Sequence, residues 1–337
     1  MWIPPVWPVG GMGYPMRPFV PKSLPQERVW WKRKGTLMNP ILSENETAPA
    51  SLQCMNVWCG NRICETDFSV TGMDVSIRST PWHGEKQGGD VYLVSMCACA
   101  SISRYILADV SGHGAVVAPL TQRLRKLMYK HINHPDQTYA AQALNREFAD
   151  LRNQGRFATA LLLTYLPDSD HLIICNAGHP PPLWYRHSEK SWQWIENETN
   201  TTIPGMDLPL GVLPGTTYQQ SAIQLGLDDR VVLFSDGLTE AQKADETQLG
   251  MEGFREAVVA LDPEAPDFAT RIMETTSNQQ CQPDDDQTVI VLRHNGSAAP
   301  EQSWGERVSV MRRLIGVRAG MLVDYLRHKA AWRTNEA

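Results

Sequence analysis

Short apolar runs with a two-residue period, broken by Gly, Pro, Asp and Asn, dominate the middle of the chain and predict strands. MDVSIRST (73–80), VYLVSMCACA (91–100) and RYILADV (104–110) read as strands, the last two as a hairpin through Ser101-Ile102-Ser103. FATALLLTYLP (157–167) and HLIICNAG (171–178) form a second hairpin around Asp168-Ser169-Asp170, and PPLWYRH and SWQWIE a pair of short strands. SAIQLGLDDRVVLFSDG (221–237) reads as strand, turn, strand, and QTVIVLRH (287–294) as the last strand. Helical spacing appears between them. Over 115–131, Val116, Leu120, Leu124, Leu127 and Met128 share one face, with Pro119 early enough for a first turn. Further helices are expected near 137–153, 250–261 and 266–280. Strands in bulk with helices inserted in pairs predict an α+β sandwich, not alternating βαβ units.

The two ends differ from this middle. Residues 1–50 are rich in Pro, Gly and Trp without periodicity and read as a flexible tail; 51–295 read as the globular domain. After a linker at 296–303, residues 304–334 read as one amphipathic helix. Met311, Leu314, Ile315, Met321, Leu322, Tyr325 and Leu326 lie on one face, and Arg312, Arg313, Arg318, Arg327, Lys329 and Arg333 on the other. Such a helix packs on its own domain, docks a partner or self-associates, or lies on a membrane surface.

Composition narrows the class. Of 337 residues, 42% are hydrophobic and 20% charged, as in globular proteins, and a net charge of −6 argues against a general nucleic-acid surface. No apolar run reaches the ~18 residues of a membrane span, and the N-terminus lacks the pattern of a secretory signal. Seven cysteines, an odd number, then fit a reduced, cytoplasmic protein. Cys54, Cys59 and Cys64 are spaced by five; a zinc site wants a closer pair and a fourth ligand, so they read as small apolar residues. Trp184, Trp192 and Trp194 read as packing between strands, with a docking surface as the alternative.

The candidate chemistry is a repeated design. Asp90 precedes the strand VYLVSM, Asp109 ends YILA, Asp236 ends VVLFS, and Asp284-Asp285-Asp286 precede QTVIVL. One acid at a strand end is ordinary turn chemistry. Four beside apolar strands imply mutual repulsion unless cations compensate, and hard divalent ions bind carboxylate oxygens. The residues alone point to a carboxylate-bridged metal centre.

GGDVY, LADVSGHG, NAGHPPPLWY, FSDGLTEA and DDDQTVIVL, in that order, resemble the SpoIIE/RsbU-like branch of the PPM (protein phosphatase 2C) metal-dependent serine/threonine phosphatases, over about residues 70–294. The resemblance implies an αββα sandwich with two Mn²⁺ or Mg²⁺ ions at one end. It makes Asp109 the bridging ligand, helped by the Val110 carbonyl. Asp236 and Asp285 hold the first metal, with Asp286 the alternative to Asp285, and Asp90 binds directly or through water. Asp109 and Asp236 then act in catalysis through a metal-bound water. The implied substrate is a phosphoserine or phosphothreonine on a signalling protein, in this branch an anti-anti-sigma (STAS-type) partner in partner switching. Two rivals stand beside it: a binding module that keeps the fold without chemistry, and a hydrolase of small phosphate esters. The sequence departs from classical members at Ser111, where they carry a histidine; His113 reads as a turn residue. Classical members use an early arginine to grip the phosphate; Arg78 stands upstream of the GGD, with nothing to fix its direction. His179 is expected to be structural or at the site rim, in a loop shaped by Asn176 and Gly178.

Overall fold

The computed structural model describes residues 57–298, apart from 98–101, 113–116, 133, 135, 150–154, 197–205, 244–245 and 279–284. The described residues fall within the unit Leu42–Ala337. The expected tail (1–50) and the expected C-terminal helix (304–334) lie outside them.

Among the described residues, twelve strands form two six-stranded sheets in which every strand pair is antiparallel. In sheet order, the first holds β1 (Val57–Gly60), β4 (Val91–Cys97), β5 (Ile102–Val110), β6 (Ala158–Leu166), β7 (His171–Ala177) and β10 (Gln220–Gln224). The second holds β2 (Cys64–Val70), β3 (Met73–Thr80), β12 (Gln287–His294), β11 (Arg230–Phe234), β8 (Leu183–Arg186) and β9 (Ser191–Trp194). The hairpins expected for β4–β5, β6–β7 and β8–β9 all pair. The strand-turn-strand run 221–237 instead changes sheets: β10 pairs with β7, and β11 with β8 and β12.

Alternating side chains bury one face of each sheet against the other. Val75 and Ile77 of β3, Tyr105 and Leu107 of β5, Leu161 and Leu163 of β6, and Leu233 of β11 share that interior. The outer faces are covered by helices. α1 (Ala118–His131) and α2 (Gln137–Ala149) pack on the first sheet, with Leu124, Met128 and Phe148 against Ile106 and Leu162. α3 (Gly250–Val259) and α4 (Phe268–Asn278) cover the second, with Phe254 and Ile272 against Phe234 and Val289. The layers are therefore helix, sheet, sheet, helix, as expected. Trp184 joins the interior, while Trp192 and Trp194 pack under α3 and α4, so the tryptophans serve as core. Among the described residues, no helix is long and apolar enough to cross a membrane.

Strands β1 and β2 were not expected from the sequence. Both lie at sheet edges, and β2 buries only alternate residues (Thr66, Phe68, Val70), a signal that polar partners dilute. Arg78 on β3 is a structural residue. Its guanidinium makes a two-pronged pair with Asp67 at 3.0 and 3.1 Å, and donates to Thr66 O, Ile77 O and Thr270 Oγ1. Replacing this buried side chain by Met, which keeps the stem and removes the donors, is expected to cost about 2–3 kcal/mol in urea unfolding.

Candidate metal centre

Strand register carries the acids to one end of the sandwich. Val91 faces Ala108, so the next step puts Asp90 opposite Asp109, closed by Val110 N–H donating to Gly89 O at 3.4 Å. Phe234 faces Val289, and Ser235 N–H donates to Thr288 O at 3.0 Å, which brings Asp236 beside Asp285 and Asp286. By strand alternation, Asp109 shares the inward face of Tyr105 and Leu107, and Asp90 that of Tyr92 and Val94. Each sheet thus delivers acids to the same space.

Asp286 joins the sheets. Its carboxylate accepts from Trp82 N–H at 2.7 Å and from Gly89 N–H at 2.5 Å, on the loop that presents Asp90. Asp285 accepts from Asp286 N–H at 2.8 Å. Gly89 is required by close approach: a Cβ there would stand 3.0 Å from Val110 O and 3.2 Å from Asp286 Oδ2. Beyond Val110 the chain turns at once. Ser111 N–H donates to Phe157 O, Ser111 Oγ accepts from Phe157 N–H, and Gly112 takes φ +92°, a left-handed conformation that glycine adopts freely.

The electrostatics are unfavourable by construction. Asp90 is 2% exposed, and neither carboxylate oxygen has a hydrogen-bond partner. Burial, then the charge of Asp286, pushes its carboxyl well above the usual range, and the nearby Ser235 and Thr288 hydroxyls offset only part of that. Asp109 is likewise raised well above the usual range by burial, and then by Asp90, Asp236, Asp285 and Asp286. Asp236, half-buried, is raised to about 6 by burial, then by Glu240 and Asp285. Among the described residues, no three His, Cys, Asp or Glu side chains are drawn into one ready coordination sphere; the acids face one another at Coulombic range. This chemistry still fits a hard divalent cation: oxygen donors only, buried and mutually repelling.

His179 lies beneath the acids as a pin between the sheets. Its Nε2 lies 3.1 Å from Phe234 O on β11, and its Nδ1 lies 2.8 Å from Thr159 Oγ1 on β6. A carbonyl only accepts, so Nε2 carries the proton and Nδ1 accepts from the threonine. Thr159 is the register partner of Asp109, so the pin acts next to it. Burial lowers the imidazole pKa to about 4. Asn176 grips both ends of this residue, donating to His179 O and accepting from His179 N–H, each at 2.8 Å.

The structure therefore brings together Asp90, Asp109, Asp236 and Asp285, with Val110 O against the Gly89 loop. It gives Asp286 a bridging role in the fold, and it turns Arg78 to Asp67, away from any gripping role. His113 and Asp284 lie outside the described residues. Glu240 and Thr159, which border the acids, were not anticipated, because nothing in their local sequence distinguishes them.

Fold and site together define a class: an αββα sandwich whose paired sheets gather carboxylates at one end. The family described as Stage II sporulation protein E (SpoIIE) matches residues 103–295, and the chain belongs to it, within the SpoIIE/RsbU-like branch of the PPM phosphatases. Phosphoserine phosphatase RsbP of Bacillus subtilis (strain 168) is 26% identical over 140 residues, 40% of this chain and 32% of RsbP. The match thus spans about a third of that relative's length. The PP2C phosphatase domain of SpoIIE from Bacillus subtilis, solved with a fragment of its regulatory domain, superposes with a TM-score of 0.53 at 19% identity, covering 72% of this chain and 64% of the other. RsbX solved with magnesium gives 0.51 at 13% identity, covering 68% and 99%. At these identities the two structures speak for the fold.

Folded-state pKa values raised above the unfolded ones make the metal-free chain lose stability as pH rises. For Asp236 the contribution is fully present below 3.8 and lost as pH passes through about 6. Asp90→Asn removes the same kind of penalty. In EDTA at pH 7.5 it is expected to raise Tm by at least about 2 °C, a gain of about 1 kcal/mol, while weakening Mn²⁺ binding. A lower Tm by calorimetry would contradict this account of Asp90. For His179, followed by its ring C–H resonances, no titration is expected between pH 8 and 5.5, whereas an exposed histidine would titrate near 6.5.

Proposed function

We propose that the chain is a metal-dependent serine/threonine protein phosphatase acting on a phosphorylated signalling protein. The observation that supports this reading most is the meeting of acids from both sheets around Asp90, a carboxylate only 2% exposed. Membership of the SpoIIE family and likeness to a phosphoserine phosphatase over 40% of the chain support it.

In this reading Asp109, the Val110 carbonyl, Asp236, Asp285 and Asp90 would hold the divalent cations, Mn²⁺ or Mg²⁺. Asp285 is preferred to Asp286 because both Asp286 oxygens already accept backbone N–H groups. The bound cations supply positive charge against the phosphoryl oxygens and acidify water. The chain's own part is to hold the donors in place. Asp286 locks the loop bearing Asp90, His179 fixes Thr159 against β11, and the Ser111–Phe157 bonds hold the turn that follows Val110, whose carbonyl lies close against Gly89. Ser111 stands at the place of the classical histidine, and both its N–H and its Oγ are tied to the backbone at 157.

A STAS-type partner in a partner-switching pathway is the substrate class this branch suggests, by analogy. Asp109→Ala and Asp236→Ala are each expected to lower Mn²⁺-dependent hydrolysis of a phosphoserine peptide by about 100-fold or more, with circular dichroism unchanged. Full activity in either variant overturns the metal assignment. Faster turnover of a small ester such as p-nitrophenyl phosphate than of any phosphoprotein overturns the substrate class.

A further inference from the structure

An exposed aromatic stands at the mouth of the acid centre. The β5–β6 ladder pairs Asp109 with Thr159 and Val110 with Ala158. One step further, Ser111 N–H donates to Phe157 O at 2.9 Å, and Ser111 Oγ accepts from Phe157 N–H at 3.1 Å. Arg156 Nη1 adds a bond to Ser111 O at 2.7 Å. Side chains alternate along such a ladder. Val110 and Ala158 lie under the helices, whereas Leu161 and Leu163 face the interior. Phe157 therefore falls on the face of Thr159 and Asp109, about 7 Å along the strand beyond Thr159. It is 41% exposed, and its backbone is held at both N–H and C=O.

Two more apolar side chains are exposed beside it. Ala158 and Leu210 exchange N–H···O bonds at 3.0 and 2.7 Å in an antiparallel bridge, which sets 211–212 beside 156–157. A Cβ on Gly211 would stand 3.5 Å from Arg156 O. Buried Asn145 of α2 braces this connection. Its Oδ1 accepts from Gly211 N–H at 2.8 Å, and its Nδ2 donates to Leu213 O at 2.9 Å. Val212 and Leu213 are 44% and 46% exposed. A single exposed Phe or Leu is ordinary on any protein surface. Here three of the eight exposed large hydrophobics among the described residues sit on one hydrogen-bonded connection, tied to Ser111 two residues after Asp109.

We propose that Phe157, flanked by Val212 and Leu213, is the surface on which a protein substrate lays an apolar side chain next to its phosphoserine. This role rests on the phosphatase reading and names what that site selects. A phosphoserine held at the acids directs its own backbone out through the mouth. An extended peptide advances about 3.3 Å per residue, so positions one or two from the phosphoserine pass over Phe157. An aromatic ring held there supplies a large contact area, the kind of anchor that dominates protein recognition. A small ester reaches the acids without needing that contact.

The test uses the full chain with Mn²⁺ and four substrates: p-nitrophenyl phosphate, and three phosphoserine peptides alike except that the flanking residues are Leu, Gly or Arg. The Leu peptide is expected to exceed the Gly peptide about fivefold or more in kcat/KM, chiefly through KM. In Phe157→Ser that ratio is expected to fall below about twofold, and in Phe157→Leu to stay near the parent's. The ratio is taken within each protein, so an overall loss of activity cancels. Leu227→Ser, at the turn before β11 and so at the opposite end of that strand from Asp236, is expected to keep the parent's ratio. A parent that turns over any of the substrates without preferring Leu to Gly overturns the surface alone, as does an unchanged ratio in Phe157→Ser. Preference for the Arg peptide over the Leu peptide marks charge as the selector and overturns it too. A parent that turns over none of the four overturns the phosphatase reading, and the surface falls with it.

Discussion

Like charges brought into one buried space repel, and this fold brings at least four carboxylates into such a space. Asp90 and Asp109 come from neighbouring strands of one sheet, and Asp236 and Asp285 from neighbouring strand ends of the other. Burial and mutual repulsion raise their proton affinities together. A domain does not collect such costs for stability. The rest of the architecture works to hold these side chains where they would not stay unaided: a wide apolar interior, two covering helix pairs, and polar ties across the sheets.

Two of those ties carry most of the burden near the site, and neither needs to be a ligand. Asp286 spends its carboxylate on the N–H groups of Trp82 and Gly89, which fixes the loop of the opposite sheet. His179, neutral and buried, donates to β11 and accepts from β6. Preorganisation of this kind lets a site present charge without rearranging at the moment it is used. Arg104 shows the opposite case at the far end of β5. There a guanidinium is buried with its Nε and Nη1 unpartnered.

Much of this was legible in the chain because its signals are local. The runs YILADV and VVLFSDG announce strands that end in an acid, and the Leu120–Leu124–Met128 stripe announces a helix with one buried face. Edge strands were less legible: β1 is four residues long, and β2 buries only every second side chain. Arg78 was ambiguous for a different reason. An arginine beside a strand can turn either way, and only the position of Asp67 one strand over decides its direction.

The sequence by itself determined most of the strands and helices, that acids close several of the strands, and that the order of motifs is that of the SpoIIE branch. These rest on periodicity and on neighbours a few positions apart. Only the tertiary structure decided that β10 and β11, adjacent in the chain, belong to different sheets. It alone decided that residues as distant as Gly89 and Asp286 touch, and that Asp286 rather than Asp285 makes the clamp. Strand order and register bring those groups together across nearly two hundred residues, and no local pattern encodes a distance between side chains that far apart.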